Sequence, residues 1–106
     1  MIADLRHRLV LEERAALADG GGGATESWTE LAIIWAAMHQ KSGREREAAD
    51  RMGARATTEI TIRHRAGVTT DMRFRLGTRH FNIRAVLDVE GRRRWLKCAC
   101  EEGGPS

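Results

Sequence analysis

The sequence predicts a small, mainly β domain: an antiparallel barrel or meander with one short α-helix between the second and third strands and a long Gly-rich hairpin loop. Three observations carry that prediction. Apolar and polar residues alternate over several short runs, turn residues separate those runs, and a single segment carries helix-capping chemistry. A chain of 106 residues with 42% hydrophobic and 31% charged residues suits one globular domain with a modest core. The expected organisation is one domain over residues 1–102, with a loop at 18–27, a helix at 42–53 and a flexible tail at 103–106.

The N-terminal "LRHRLVLEE" admits two readings. Leu5, Leu9 and Ala16 fit a helical stripe, whereas His7, Leu9 and Leu11 against Arg8 and Val10 fit a strand. A sheet that needs one more strand to close favours the strand. Next comes Gly20, Gly21, Gly22 and Gly23, read as the tip of a long hairpin, where glycine leaves the chain free to order against a neighbour. The run "SWTELAIIWAAMHQ" places Leu31, Ile33 and Trp35 on one side and Ile34, Ala36 and Met38 on the other. A helix could hold this composition, but its β-branched and aromatic content predicts a central strand buried on both faces. Trp28, near the start of that strand, is a candidate interface anchor, and with the four glycines it forms a candidate docking loop.

"SGREREAADRMG" is expected as a short helix. Ser42 and Glu45 match the S-x-x-E capping box, Glu47 and Arg51 form a favourable i,i+4 pair, and Gly53 can end the helix. Its apolar stripe, Ala48, Ala49 and Met52, is thin, so the helix should lean on a barrel end or a neighbouring subunit. Four further strands are expected in succession as a meander. "TTEITIRHR" points Thr58, Ile60 and Ile62 inward; "MRFRL" points Met72, Phe74 and Leu76 inward and Arg73 and Arg75 outward. After a tight turn at Gly77-Thr78, "RHFNIRAVLDV" points Phe81, Ile83, Ala85 and Leu87 inward. A turn near Glu90-Gly91 leads to "RRRWLKCACE", with Leu96, Cys98 and Cys100 on one face. The two cysteines are expected as small core residues, with strand geometry separating their thiols and preventing a disulfide.

The net charge of +3 is unevenly laid out. Residues 55–97 carry ten arginines and one lysine against four acids, a net of +7, whereas residues 1–54 carry −2. Opposite signs on one chain suit either contact with nucleic acid or head-to-tail docking of identical copies. Arg63, Arg65, Arg73, Arg75, Arg92, Arg93 and Arg94 are the candidates for DNA or inter-subunit contact.

Catalytic chemistry is not legible. His7, His39, His64 and His80 lie on separate elements without ligand spacing, and Cys98-x-Cys100 is neither a redox turn nor a zinc knuckle. No serine sits in a nucleophile elbow, the glycine run lacks the Lys-Ser/Thr of a phosphate loop, and Glu12-Glu13 and Glu101-Glu102 are adjacent carboxylates aimed apart. The expectation is no enzyme, no catalytic or metal site and no cofactor. No apolar run is long enough for a membrane helix and no signal core opens the chain, so a reduced, cytoplasmic origin is expected.

Taken in order, "LRHRLVLEE", the Gly-rich loop, "ESWTELAIIWAAMHQKSGRE", "RAGVTTDMRFRL" and "FNIRAVLDVEGRRRWLKCACEE" resemble the head-closure family of tailed bacteriophages, also called head–tail joining or stopper proteins. The resemblance runs from Leu5 to Glu102. Its most specific parts are Trp28, Ala32, Trp35 and Ala36, the step Ser42–Glu45, the run Val68–Arg73 and the close Gly91–Leu96. The Arg- and Ala-rich chain also suits a phage-derived particle such as a gene transfer agent.

The resemblance implies a virion neck protein: a barrel forming a homo-oligomeric ring of twelve copies below the portal and adaptor proteins. The ring retains packaged double-stranded DNA without reading its sequence, and meets tail terminator or tail proteins below. It further implies that the segment Gln40–Arg55 either reaches the channel and helps to shut it or packs between subunits, making Ser42, Arg44, Glu45, Arg46, Glu47 and Arg51 the candidate pore or subunit-contact residues. The alternative is a stand-alone basic β-barrel that binds nucleic acid. In that case Trp28, Trp35 and Trp95 would have to stack bases, because Phe74 and Phe81 face inward. A metal assay would exclude a third class, a small hydrolase or metal enzyme.

Overall fold

The computed structural model describes residues 4–18, 24–51 and 56–103. Strands β1 (His7–Ala18) and β2 (Ala24–Gln40) form a long antiparallel hairpin, with Ala18 opposite Ala24 and His7 opposite Ala36. Helix α1 (Gly43–Arg51) follows, then β3 (Thr58–Arg63), β4 (Met72–Leu76), β5 (Arg79–Asp88), a single 3-10 turn at Val89–Gly91, and β6 (Trp95–Gly103). The strands close into an antiparallel barrel in the order β1-β2-β3-β6-β5-β4. The mainly β barrel with a helix between its second and third strands is therefore as expected; the Gly20–Gly23 tip and the helix terminator at Gly53 lie outside the described residues.

Alternation decides the interior. Leu9 and Leu11 from β1, Ile60 and Ile62 from β3, Met72 and Phe74 from β4, Phe81 and Ile83 from β5, and Leu96, Cys98 and Cys100 from β6 converge with Ala36 on one core. Phe74 and Phe81 stand directly opposite each other across the β4–β5 hairpin. Gly77 takes φ +62° at that hairpin's two-residue turn, a left-handed conformation that suits glycine.

Five expectations fail in detail. First, β3 pairs with β2 and β6 rather than with β4, so only β4, β5 and β6 form a meander. Residues 64–71 carry the chain across one end of the barrel, and β4 closes the sheet against β1.

Second, β2 is not buried on both faces. Leu31 is 40% exposed, Ile33 55% and Trp35 53%, because a single closed sheet has one interior and no second layer covers the outside among the described residues. Third, the pairing of β5 with β6 slips between Ile83 and Ala85, leaving Arg84 without an opposite residue. The slip reverses the alternation: Val86 packs on the core while Ala85 and Leu87 turn outward.

Fourth, Arg92, Arg93 and Arg94 precede β6 in a loop instead of opening that strand. Fifth, the two thiols are not separated. Residues two apart on a strand share a face, so Cys98 and Cys100 both point into the core, as free cysteines. Burial pushes the Cys98 thiol up to about 12; burial, then the neighbouring Cys98, raises that of Cys100 further, against a small opposing pull from Arg84.

Candidate functional site

Strand directions sort the loops into two ends. At one end lie the exits of β3 and β5, the entries of β4 and β6, and the outer part of the β1–β2 hairpin. From Ala15 to Ala18 and from Ala24 to Ser27, β1 and β2 have no other strand partner among the described residues, so the hairpin continues past the barrel wall as a two-stranded ribbon. At the other end lie the exit of β2, helix α1, the entry of β3, the Gly77-Thr78 turn and the end of β6.

The first end gathers arginine. Arg63 closes β3, Arg65 follows it, and Arg92, Arg93 and Arg94 lead into β6; the backbone N–H of His64 donates to the Arg94 carbonyl at 2.9 Å and ties the two segments together. The loop before β6 is tightly shaped: Glu90 and Arg93 take φ of 60° and 55°, and the Asp88 carboxylate accepts from the Arg93 backbone N–H at 3.0 Å. Arg63, His64, Arg93, Arg94 and Trp95 line an open cleft of about 400 Å³, and the Arg63 guanidinium lies 5.3 Å from the centre of the Trp95 ring. Arg92 has Glu90 at 3.7 Å; Arg63, Arg65, Arg93 and Arg94 have no acidic partner among the described residues.

Arg73 and Arg75 belong elsewhere. Expected to be free on the outer face of β4, they converge on Glu12 of β1, with the Arg73 Nε donating to Glu12 Oε1 at 2.7 Å and the Arg75 Nε to Oε2 at 3.1 Å. Side-chain exposures of 8% for Arg73 and 10% for Glu12 make this a buried pair, whereas Arg75 keeps 33% and also approaches Glu30 at 3.8 Å. The Trp28 ring lies over the Arg73 guanidinium at 3.9 Å and helps exclude water from it. Burial alone would raise the Glu12 pKa, but the hydrogen bonds and charges of Arg73 and Arg75 outweigh it and hold the carboxyl below its ordinary value. The remaining β5 arginines are likewise neutralised, Arg79 by Glu102 at 2.8 Å and Arg84 by Glu101 at 2.7 Å.

At the second end the capping box forms as its sequence predicts. The Ser42 hydroxyl accepts from the Glu45 backbone N–H at 3.2 Å, and the Glu45 carboxylate accepts from the Ser42 backbone N–H at 3.0 Å. These bonds from Ser42, with a smaller one from His39, hold the Glu45 carboxyl below its ordinary value. His39 Nε2, from the penultimate residue of β2, stands 3.4 Å from Glu45 Oε2. Arg44, Glu45, Arg46 and Glu47 are exposed, and α1 has few contacts with any strand among the described residues. The Arg51 side chain lies outside them.

The candidate residues thus fall into three groups: free arginines at one end, a capped helix at the other, and a buried ion network beside Trp28 in the wall. The network was missed because Glu12 and Arg73 are 61 positions apart. The available signal was an acid directly after the inward-facing Leu11, set against a strand with two outward arginines. Among the described residues, no three His, Cys, Asp or Glu side chains gather as a metal site requires.

Comparison with known proteins places this architecture. The chain resembles protein SF1141 from Shigella flexneri 2a, known from a solution structure, at 26% identity and a TM-score of 0.77, covering 99% of this chain and 98% of that one. It also resembles a chain in the virion of a native gene transfer agent particle, at 27% identity and a TM-score of 0.63, covering 96% and 98% respectively. No curated protein matches by sequence. The profile of one family of structural virion proteins, described as phage head completion protein, matches residues 1–103, and the chain belongs to that family.

Proposed function

We propose that this chain is a neck component of a phage-like particle, assembling as a ring of twelve copies below the portal and adaptor. There it closes the head, retains the packaged DNA and meets the tail. The observation that carries the reading is the placement of charge. The arginines of β4 and β5 are neutralised by carboxylates, while Arg63, Arg65, Arg93 and Arg94 have no acidic partner among the described residues at one barrel end. Four guanidinium groups without counter-charges grip phosphates without reading sequence, which is what holding packaged DNA requires. Helix α1, capped but with few barrel contacts among the described residues, is the segment best suited to rearrange in the channel or between subunits. Gly20–Gly23, which lie outside the described residues, are assigned by this reading to docking on the neighbouring ring.

Cells producing such particles without this chain should release filled heads that lack tails and whose DNA is open to nuclease. Tailed particles with protected DNA from the deletion strain would end the proposal. Arg93→Glu with Arg94→Glu should leave the chain in the particle but increase DNA leakage.

The cleft beside Trp95 favours a second reading, a stand-alone nucleic-acid-binding module. Against it, each of the three tryptophans already carries one of the chain's own arginines over its ring, at 5.7 Å for Trp35, 5.3 Å for Trp95 and 3.9 Å for Trp28. Tight binding of short single-stranded DNA by the isolated chain, together with its absence from particles, would support that second reading.

A further inference from the structure

We propose that copies of this chain pack side by side, the outer face of β2 in one copy against the outer face of β5 in the next. This rests on the ring reading above and adds which walls meet.

Among the described residues, the exposed large apolar side chains occupy two places. Leu31, Ile33 and Trp35 form a stripe on the outside of β2, and Leu87, 61% exposed, stands with exposed Ala85 on the outside of β5. In the closed order β1-β2-β3-β6-β5-β4, these strands are three steps apart in either direction, on opposite walls of the barrel. A two-fold contact through β2 would leave Leu87 in water, and one through β5 would leave the stripe in water. A head-to-tail contact covers both patches at once, and repeating it produces a closed ring or a filament.

Charge fixes the orientation. Beyond the stripe, toward the outer part of the hairpin, β2 carries Glu30, whose only ion pair among the described residues is a loose one with Arg75 at 3.8 Å and whose side chain is 54% exposed. Beyond Leu87 in the same direction lies the loop with Arg93 and Arg94, which lack acidic partners among the described residues. Copies with parallel axes bring Glu30 of one toward that loop of the next. Copies with antiparallel axes would set Glu30 toward Arg84, which Glu101 already neutralises.

Disulfide trapping in assembled particles tests the pairing. Ile33→Cys and Leu87→Cys both replace exposed side chains, and the native Cys98 and Cys100 are buried and unreactive. Oxidised particles carrying the double variant should give a ladder of dimers, trimers and larger species that collapses on reduction. Each single variant should stay at the monomer position, and unchanged melting of the purified variants would confirm that the fold is intact. Dimers from Ile33→Cys alone would reveal a two-fold contact and overturn the proposal. Several copies per particle, counted by mass spectrometry, without a ladder would also overturn it while leaving the ring standing. A single copy per particle would remove the ring and this pairing together.

Discussion

Replacing Glu12 with Gln removes one charge from the most buried ion cluster in the chain. Gln preserves the shape and one acceptor, so the Arg73 Nε can keep a neutral hydrogen bond. What it loses is the counter-charge for a guanidinium with only 8% side-chain exposure beneath the Trp28 ring. Arg75, with 33% exposure and Glu30 nearby, can turn to water; Arg73 cannot. Breaking a buried pair from one side costs about 3–5 kcal/mol, and the conservative replacement sets the expectation at the low end, about 3 kcal/mol. For a domain of this size that corresponds to a fall of roughly 12–24 °C in Tm.

Thermal and urea unfolding followed by circular dichroism at pH 7 would measure the loss. The companion double variant, Glu12→Leu with Arg73→Met, should recover to within about 1 kcal/mol of the parent, because apolar side chains need no counter-charge. Acid supplies an independent check. The folded-state pKa of Glu12 lies below its ordinary value of 4.5, so its contribution is complete above that pH and is lost as pH falls through the lower folded-state value. The parent should lose this contribution on acidification, and Glu12→Gln should not. A Glu12→Gln protein within about 0.5 kcal/mol of the parent would show that the cluster is solvated and the reasoning wrong.

Phe74→Ala, at a fully buried position, should cost about 3–5 kcal/mol in denaturant unfolding, whereas half-exposed Trp35→Ala should cost roughly 1–2 kcal/mol and remain folded. Ser42→Ala should weaken α1 alone, by about 1 kcal/mol, read as faster amide exchange in residues 43–47 with the strands unchanged. With the Cys98 thiol pushed up to about 12, its thiolate fraction at pH 8 is on the order of one in ten thousand. Iodoacetamide should therefore leave both cysteines unmodified in the folded chain and label both in urea.

Strand identity was legible wherever one side of a segment faces the core and the other faces water. "TTEITIRHR" and "MRFRL" became β3 and β4 with their inward residues as expected, because alternation is a direct imprint of a half-buried sheet. The capping box was equally legible, since its donors and acceptors lie within four residues. Two kinds of information were not local. The β5 slip that turns Leu87 outward depends on what β6 presents opposite Arg84, and no pattern within β5 encodes it. The exposure of Trp35 depends on whether a second layer covers β2. An apolar run looks the same whether protein or a partner will cover it, so an apolar outer face was read as a buried one.

Charge gives the clearest case of folding changing what a sequence statement means. Along the chain the asymmetry lies between halves, −2 before residue 55 and +7 over residues 55–97. In the barrel much of it is cancelled. Glu12 crosses from the first half to neutralise Arg73 and Arg75, Glu101 and Glu102 neutralise Arg84 and Arg79, and among the described residues of 55–97 the arginines without an acidic partner, Arg63, Arg65, Arg93 and Arg94, collect at one end. The two sets should therefore respond in opposite ways. Charge reversal at Arg93 and Arg94 should change folding stability by no more than about 0.5 kcal/mol while lowering DNA retention, because nothing in the folded chain depends on those groups. Arg73→Ala should lower stability by several kcal/mol, because it takes from buried Glu12 the closer of its two guanidinium partners and leaves only Arg75. Melting curves and nuclease-protection assays on the same variants separate the sets, and equal losses in both assays for both would show that the arginines are not divided as the barrel divides them.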